Sequence, residues 1–239
     1  MKTQIAAFST LSLLSIFLPL HAAETTLVND DPAANATALV PTAGNGGNDL
    51  SPAEWTTVAS PPNASSWILG TTGVGYETSP NSGTSYSALL DLDLRAQMQN
   101  RSATAYIRIP FTVEKATLEG TRALFLDMKY DDGFVAYLNG QRVAAANAPS
   151  SLSASSSALS NNSDANALQF ERFDISSFIS LLNDGPNMLA IHGLNDGVTS
   201  SDFLVLPRLI ATDALPPVWP NLQIGTPITT ASSPVALTH

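Results

Sequence analysis

Along the chain, hydrophobic positions fall into short runs that repeat every second residue and are separated by turn-forming residues. From Ala105 to Val113 the alternation is unbroken: Ala105, Ile107, Ile109, Phe111 and Val113 share one face, and Tyr106, Arg108 and Thr112 share the other. A period of two puts successive side chains on opposite faces of a strand, so this segment reads as a half-buried strand. Leu124, Leu126, Met128 and Tyr130 repeat the pattern, with Phe125, Asp127 and Lys129 opposite. Asp131-Asp132-Gly133 then turns the chain into a strand from Phe134 to Leu138, and Asn139-Gly140 turns it into Gln141 to Val143. Both central residues of a type I′ turn need positive φ, which Asn and Gly tolerate, so Asn-Gly marks a hairpin. Leu124 to Val143 is therefore expected to be a three-stranded antiparallel meander, with Phe134 and Leu138 on one face.

The rest of the pattern is weaker. First strands are expected at Thr25 to Val28 and Leu39 to Thr42, around an Ala-, Asn-, Gly- and Pro-rich stretch from Asp30 to Gly47. Thr71 to Ser87, rich in Gly, Pro, Ser and Thr, reads as a long surface loop. Leu90, Leu94 and Met98, with Asp91 and Asp93 near the start, suggest a short helix. Ser150 to Asn166 offers little apolar surface to offset ordering entropy and reads as a mobile loop. A strand at Leu168 to Phe173, a helical turn at Ser176 to Leu182, a Gly185-Pro186 break, and strands at Asn187 to Leu194 and Phe203 to Ile210 follow. Many short strands with few helices predict an all-β sandwich of about eight antiparallel strands with one or two short helices.

The ends change the picture. Lys2 precedes an apolar run from Ile5 to Leu20 that closes on the small residues Ala22 and Ala23, the layout of a secretory signal peptide. The run is shorter than the roughly 18 to 20 residues that cross a bilayer, and no later stretch is continuously apolar, so no membrane span is expected. From Leu215 onward Pro216, Pro217, Pro220, Pro227 and Pro234 allow an edge strand at most. The expected organisation is a leader at 1–23, one β-sandwich domain at 24–214 and a Pro-rich tail or linker at 215–239, in a protein that is secreted, periplasmic or at the cell surface.

Composition narrows the function classes. There is no cysteine, which excludes disulfides, thiol catalysis and cysteine-ligated metals. The formal net charge is −10, on a chain in which only 13% of residues are charged. Nucleic acid and anionic membranes are therefore poor partners, whereas cations, neutral ligands and sugars remain open. Asn35, Asn63, Asn100 and Asn161 each begin an Asn-x-Ser/Thr triplet, which matters only in a glycosylating host.

Three constellations carry candidate chemistry. Asp131 and Asp132 are adjacent carboxylates that could hold Ca²⁺, a hard cation taking oxygen ligands, although Asp and Gly are also what a tight turn requires. Asn195 and Asp196, after a distant strand, could add oxygens, and Asp91 with Asp93 is a second pair, although such residues more often complement a helix N-terminus. Trp55, Trp67 and Tyr76 could form a stacking platform for pyranose rings, or could fill the core. His192 is the only histidine between the leader and the C-terminal residue, and it reads as structural. No His-x-His, His-Glu-x-x-His or Gly-x-Ser-x-Gly pattern occurs, so an enzyme is not expected.

The stretches "SSWILGTTGVGY", "AYIRIPFTV", "YDDGFVAYLNGQRVAAANAP", "GPNMLAIHGLN" and "SSDFLVLPRL" resemble a galactose-binding-like jelly-roll module of secreted and surface proteins of bacteria, often beside spore-coat-kinase-like or lamin-tail domains. More loosely, the layout is similar to the sugar-binding domain of family 2 glycosidases. The stretch "DDGFVAYLNG" looks like that of PA14-type sugar-binding modules, in which an Asp pair binds calcium. The resemblance implies a jelly-roll sandwich with a binding or spacer role. The expectation is an exported, non-catalytic module that binds carbohydrate or another cell-surface ligand through Trp55, Tyr76 and Asn195. Calcium would sit at Asp131, Asp132 and Asp196. A structural spacer or adhesion domain is the alternative, and a glycoside hydrolase, which needs two paired acids, is a third reading.

Overall fold

The computed structural model describes residues 23–214, except 32 and 82, together with 223–224. The expected leader up to residue 22 and most of the expected tail lie outside these residues. The strands are β1 (Glu24–Val28), β2 (Asn35–Leu39), β3 (Ile68–Thr71), β4 (Val74–Glu77), β5 (Leu92–Asp93), β6 (Thr104–Val113), β7 (Ala123–Asp131), β8 (Gly133–Leu138), β9 (Gln141–Ala146), β10 (Glu171–Asp174), β11 (Gly185–Leu194), β12 (Asp202–Thr212) and β13 (Gln223–Ile224). They form two sheets. One has seven strands in the order β13-β10-β7-β12-β4-β5, with β1 also on β12, and the other has six in the order β3-β2-β6-β11-β8-β9. Pairing is antiparallel except at β10–β13 and β4–β5, so the all-β sandwich carries short strands beyond the eight expected.

The main core lies between the sheets. Ile107, Ile109, Phe134, Leu138, Leu189 and Ile191 of one sheet meet Leu124, Leu126, Met128, Phe173, Phe203 and Val205 of the other. A second cluster of Leu39, Trp55, Trp67, Tyr106, Val135, Tyr137, Met188 and Ala190 covers the outward face of the six-stranded sheet. Every residue of β8 is therefore buried, with Phe134 and Leu138 inward and Val135 and Tyr137 outward.

The meander is corrected. β7 pairs with β12 and β10, whereas β8 pairs with β11 and β9, so Asp131 to Gly133 carries the chain from one sheet to the other. Alternation reports which face a side chain takes and is silent about which strand lies beside it. The second turn is as expected: β8 and β9 form a hairpin, with Asn139 at φ 48° and Gly140 at φ 92°.

Three other expectations shift. The supposed loop from Thr71 holds β4, because Gly73 turns tightly at φ 91° and Gly75 lets the backbone approach the Phe203 carbonyl where a Cβ would clash. The Leu90 to Met98 helix shrinks to Arg95–Met98, with Asp93 accepting the Arg95 amide at 2.7 Å, after the short β5. Ser150 to Asn166 is a loop, as expected, but it is pinned at several points and runs into a helical turn at Asp164–Ala167. Its backbone hydrogen bonds reach buried partners on neighbouring segments, a source of order that apolar content does not register.

Candidate functional site

Two regions near the Leu194 end of β11 gather the polar residues. The first is an acidic nest. Asp131 ends β7 and Asp132 follows through a cis peptide; the two residues are 1% and 0% exposed. All four hydrogen-bonding groups of Asp132 are in use. Oδ1 accepts the Asn162 amide and Oδ2 the Asp196 amide, each at 2.8 Å. Its carbonyl accepts Asn147 Nδ2 at 2.9 Å, and its N–H donates to the Leu194 carbonyl at 3.0 Å. One aspartate thus ties together the segments carrying Asn147, Asn162 and Asp196.

Asp131 is different. Its Oδ2 is buried with no hydrogen-bond partner, and the nearby Tyr86 hydroxyl is in the same condition. Burial first, then hydrogen bonding to and charge on Asp132 and the proximity of Asp202, pushes the Asp131 carboxyl far above the usual carboxylate range. Asp202 is raised too, by burial and then by the charge of Asp164. Among the described residues the ion pairs involve Lys115, Arg172 and Arg208, and none reaches this nest.

Tyr76 and Asn195, expected in a binding surface, are buried braces. Tyr76 lies on β4 rather than in a loop, 1% exposed, with its ring in the main core and its hydroxyl donating to the Ser200 carbonyl at 3.0 Å. Burial, then the charges of Asp202 and Asp131, pushes its pKa up to about 12. Asn195 Nδ2 donates to Tyr76 Oη at 3.2 Å and to the Asp202 carbonyl at 2.7 Å, while Oδ1 accepts the Asp196 amide. Asp196 meets Asp132 through its backbone, and its side chain is exposed. Among the described residues, no three Asp, Glu or His side chains converge as a metal cage. The orphaned Asp131 oxygen is nonetheless the kind of ligand a hard cation takes.

The second region is a cavity of about 330 Å³ on the outward face of the six-stranded sheet. Its walls come from Asn48 to Pro52 and from Leu152 to Ala154, and its floor from Trp55, Tyr106 and His192. The Trp55 end is built locally. Ser51 and Glu54 form a capping box around the helical turn Pro52–Trp55, with the Ser51 amide 2.8 Å from Glu54 Oε2. Arg108 then pins the following chain by donating to the carbonyls of Trp55, Thr57 and Ala59 at 2.9, 2.8 and 2.6 Å.

Trp55 is 1% exposed and does not form the open platform expected of it. One face stacks on Tyr106 at 4.5 Å and 16°, and its edges meet Tyr137 and His192. It is the buried support beneath the cavity. Trp67 lies tilted beside it at 6.4 Å, in the same cluster.

Sequence reasoning passed over Tyr106 and His192 as site residues. The signal for Tyr106 was its place on the polar side of the β6 alternation; His192 is its direct cross-strand partner on β11, which only register reveals. Their rings meet edge to face at 4.9 Å. Burial lowers the His192 pKa to about 3, so its imidazole is neutral near pH 7.

No protein family and no curated protein matches the chain. Among solved structures it is similar to a beta-glucuronidase from an uncultured Clostridium species, at 10% identity and a TM-score of 0.44, over 86% of this chain and 31% of that one. It is also similar to the Ruminococcus gnavus beta-glucuronidase, at 9% identity and a TM-score of 0.44, over 83% of this chain and 30% of that one. A glycosyl hydrolase family 2 member from Bacteroides cellulosilyticus matches at 11% identity and a TM-score of 0.43, over 79% of this chain and 20% of that one. The chain spans less than a third of each of these three structures.

Proposed function

We propose that this protein is an exported, non-catalytic carbohydrate-binding module whose ligand enters the cavity above Tyr106 and His192, with calcium held at the acidic nest. The carbohydrate reading is carried by the cavity. Its volume is at the small end of ligand sites. Its lining sets the apolar surface of Leu50, Pro52 and Leu152 beside polar groups of Asn48, Asp49, Ser51 and Ser153. A pyranose, with C–H faces and equatorial hydroxyls, has the matching two-sided character. The cavity is lined by a single carboxylate, Asp49, whereas glycoside hydrolysis needs a pair about 5 to 10 Å apart. Support for calcium comes from the orphaned Asp131 oxygen. The ion would be held by Asp131 and Asp132, and its role would be to cancel their repulsion.

The spacer reading draws on the burial of Trp55, Tyr76 and Asn195, all used structurally. Retention on a panel of neutral and acidic polysaccharides, with calcium and with chelator, separates the two. Binding to at least one polysaccharide that is lost in Ser153→Trp, which fills the cavity from an exposed wall position, is the expected result. Calcium at about 100 times its dissociation constant should add roughly 2.7 kcal/mol of stability. Uniform failure to bind overturns the carbohydrate reading, and a melting temperature indifferent to chelator overturns the calcium.

A further inference from the structure

His192 Nε2 lies 3.4 Å from Thr104 Oγ1. A threonine hydroxyl has one proton, and that of Thr104 is donated to the Ser156 carbonyl. Thr104 can therefore meet His192 only as an acceptor. Nε2 carries the imidazole proton, and Nδ1 is left with its lone pair. The low pKa of the buried ring keeps that lone pair available well into the acid range. Nδ1 makes no hydrogen bond among the described residues, on a ring that is 2% exposed and borders the cavity. The Tyr106 hydroxyl is likewise free of hydrogen-bond partners among these residues, on a side chain that is 3% exposed and borders the same cavity. Both residues line the cavity, which has no Lys or Arg in its wall and has Asp49 at its rim, so an anionic ligand is disfavoured.

We propose that His192 and Tyr106 are the hydroxyl-reading pair of this cavity. Nδ1 accepts a hydrogen bond from one ligand hydroxyl, and the Tyr106 hydroxyl bonds a neighbouring one, which selects neutral ligands bearing adjacent hydroxyl groups. The proposal rests on the carbohydrate reading and narrows it: the bond of Thr104 to Ser156, and of His192 to Thr104, fixes which ring nitrogen keeps its lone pair. A histidine free to change tautomer could present a donor instead, so Thr104 acts as a positioning residue.

The test uses the full chain labelled with ¹⁵N-histidine, followed by long-range proton–nitrogen correlation, with the His192 signals assigned by their loss in His192→Gln. The probes are methyl glycosides and linear tetrasaccharides of glucose, galactose, mannose and xylose, with glucuronate as the anionic control. The free protein should show the Nε2–H tautomer from pH 5 to 8. A bound neutral probe should shift the Nδ1 resonance, and glucuronate should not. His192→Phe should weaken binding by up to about tenfold, the loss of one neutral hydrogen bond. Thr104→Val should weaken it less and release the second tautomer. An Nδ1–H tautomer in the free protein, or binding that Ser153→Trp abolishes while Nδ1 stays unmoved, overturns the assignment and leaves the carbohydrate reading intact. Failure of every probe to bind overturns both.

Discussion

The acidic nest and the cavity lie close together in the fold and are built on opposite terms. In the nest, conspicuous residues are closed off: the Asp132 oxygens are occupied by backbone amides, and Asp131 is buried without a cationic partner among the described residues. In the cavity, inconspicuous residues border free volume: a buried tyrosine and a buried neutral histidine form the floor, and the exposed Asn48, Ser51 and Ser153 stand in the walls. Carboxylates attract attention because burying them is costly, but the backbone can use them up. Adjacent open volume, rather than charge, separates the two regions here.

Four measurements can break that contrast or sharpen it. Trp55→Ala should have the largest effect, about 3 to 5 kcal/mol in urea unfolding, because it removes the stacked support under the cavity. A loss below about 1 kcal/mol would show that Trp55 is not packed. Asp132→Ala should cost about 3 kcal/mol, since two amides lose a charged acceptor; a neutral result would deny the nest its role as a joint.

The pH dependence should run in opposite directions in the two regions. His192 has a depressed folded pKa, so the stability it contributes is full above about 6.5 and falls as pH drops toward 3. Between pH 6.5 and 5 the loss should be about 2 kcal/mol and should vanish in His192→Gln. Asp131 has a raised folded pKa, so its contribution is full at acid pH and declines as pH rises, and in chelator Asp131→Asn should flatten that alkaline decline. Two variants with slopes of the same sign would remove the contrast. The smallest effect is expected from Asn162→Ala, about 1 kcal/mol, for losing the Nδ2 bond to the Tyr130 carbonyl while keeping the backbone bond to Asp132.

The legible parts of this fold were those set by local chemistry. The Asn139-Gly140 hairpin needed only two residues able to take positive φ, and the alternation of β6 and β8 assigned faces without knowledge of partners. Partnering was not legible, because β7 and β8 are buried on both faces and would satisfy either sheet. Tyr76 was misplaced because the glycines around it signalled a loop, when their function was to let two backbones approach. For Ser150 to Asn166, side-chain composition was the wrong quantity. Its order comes from main-chain bonds, such as Ala158 N–H to the Asn195 carbonyl and Leu159 N–H to the Asn147 carbonyl, each below 3 Å. The candidate cavity was hidden for the related reason that it lies between two loops and a register pair separated by more than eighty positions.

That main-chain anchoring bears on how the protein can diversify. A loop held to its neighbours through amides and carbonyls places few demands on what its residues are, so positions such as Ala154, and Ser153 whose hydroxyl bonds only Ser155 and Ser156 within the loop, can be exchanged with little risk to folding. Those same positions form one wall of the cavity, while the tautomer lock beneath it depends on Thr104 and the Ser156 carbonyl rather than on the Ser156 side chain. Variation can therefore reshape the wall while the floor stays constant, which lets one scaffold acquire a range of ligand preferences through a segment whose composition looks like filler.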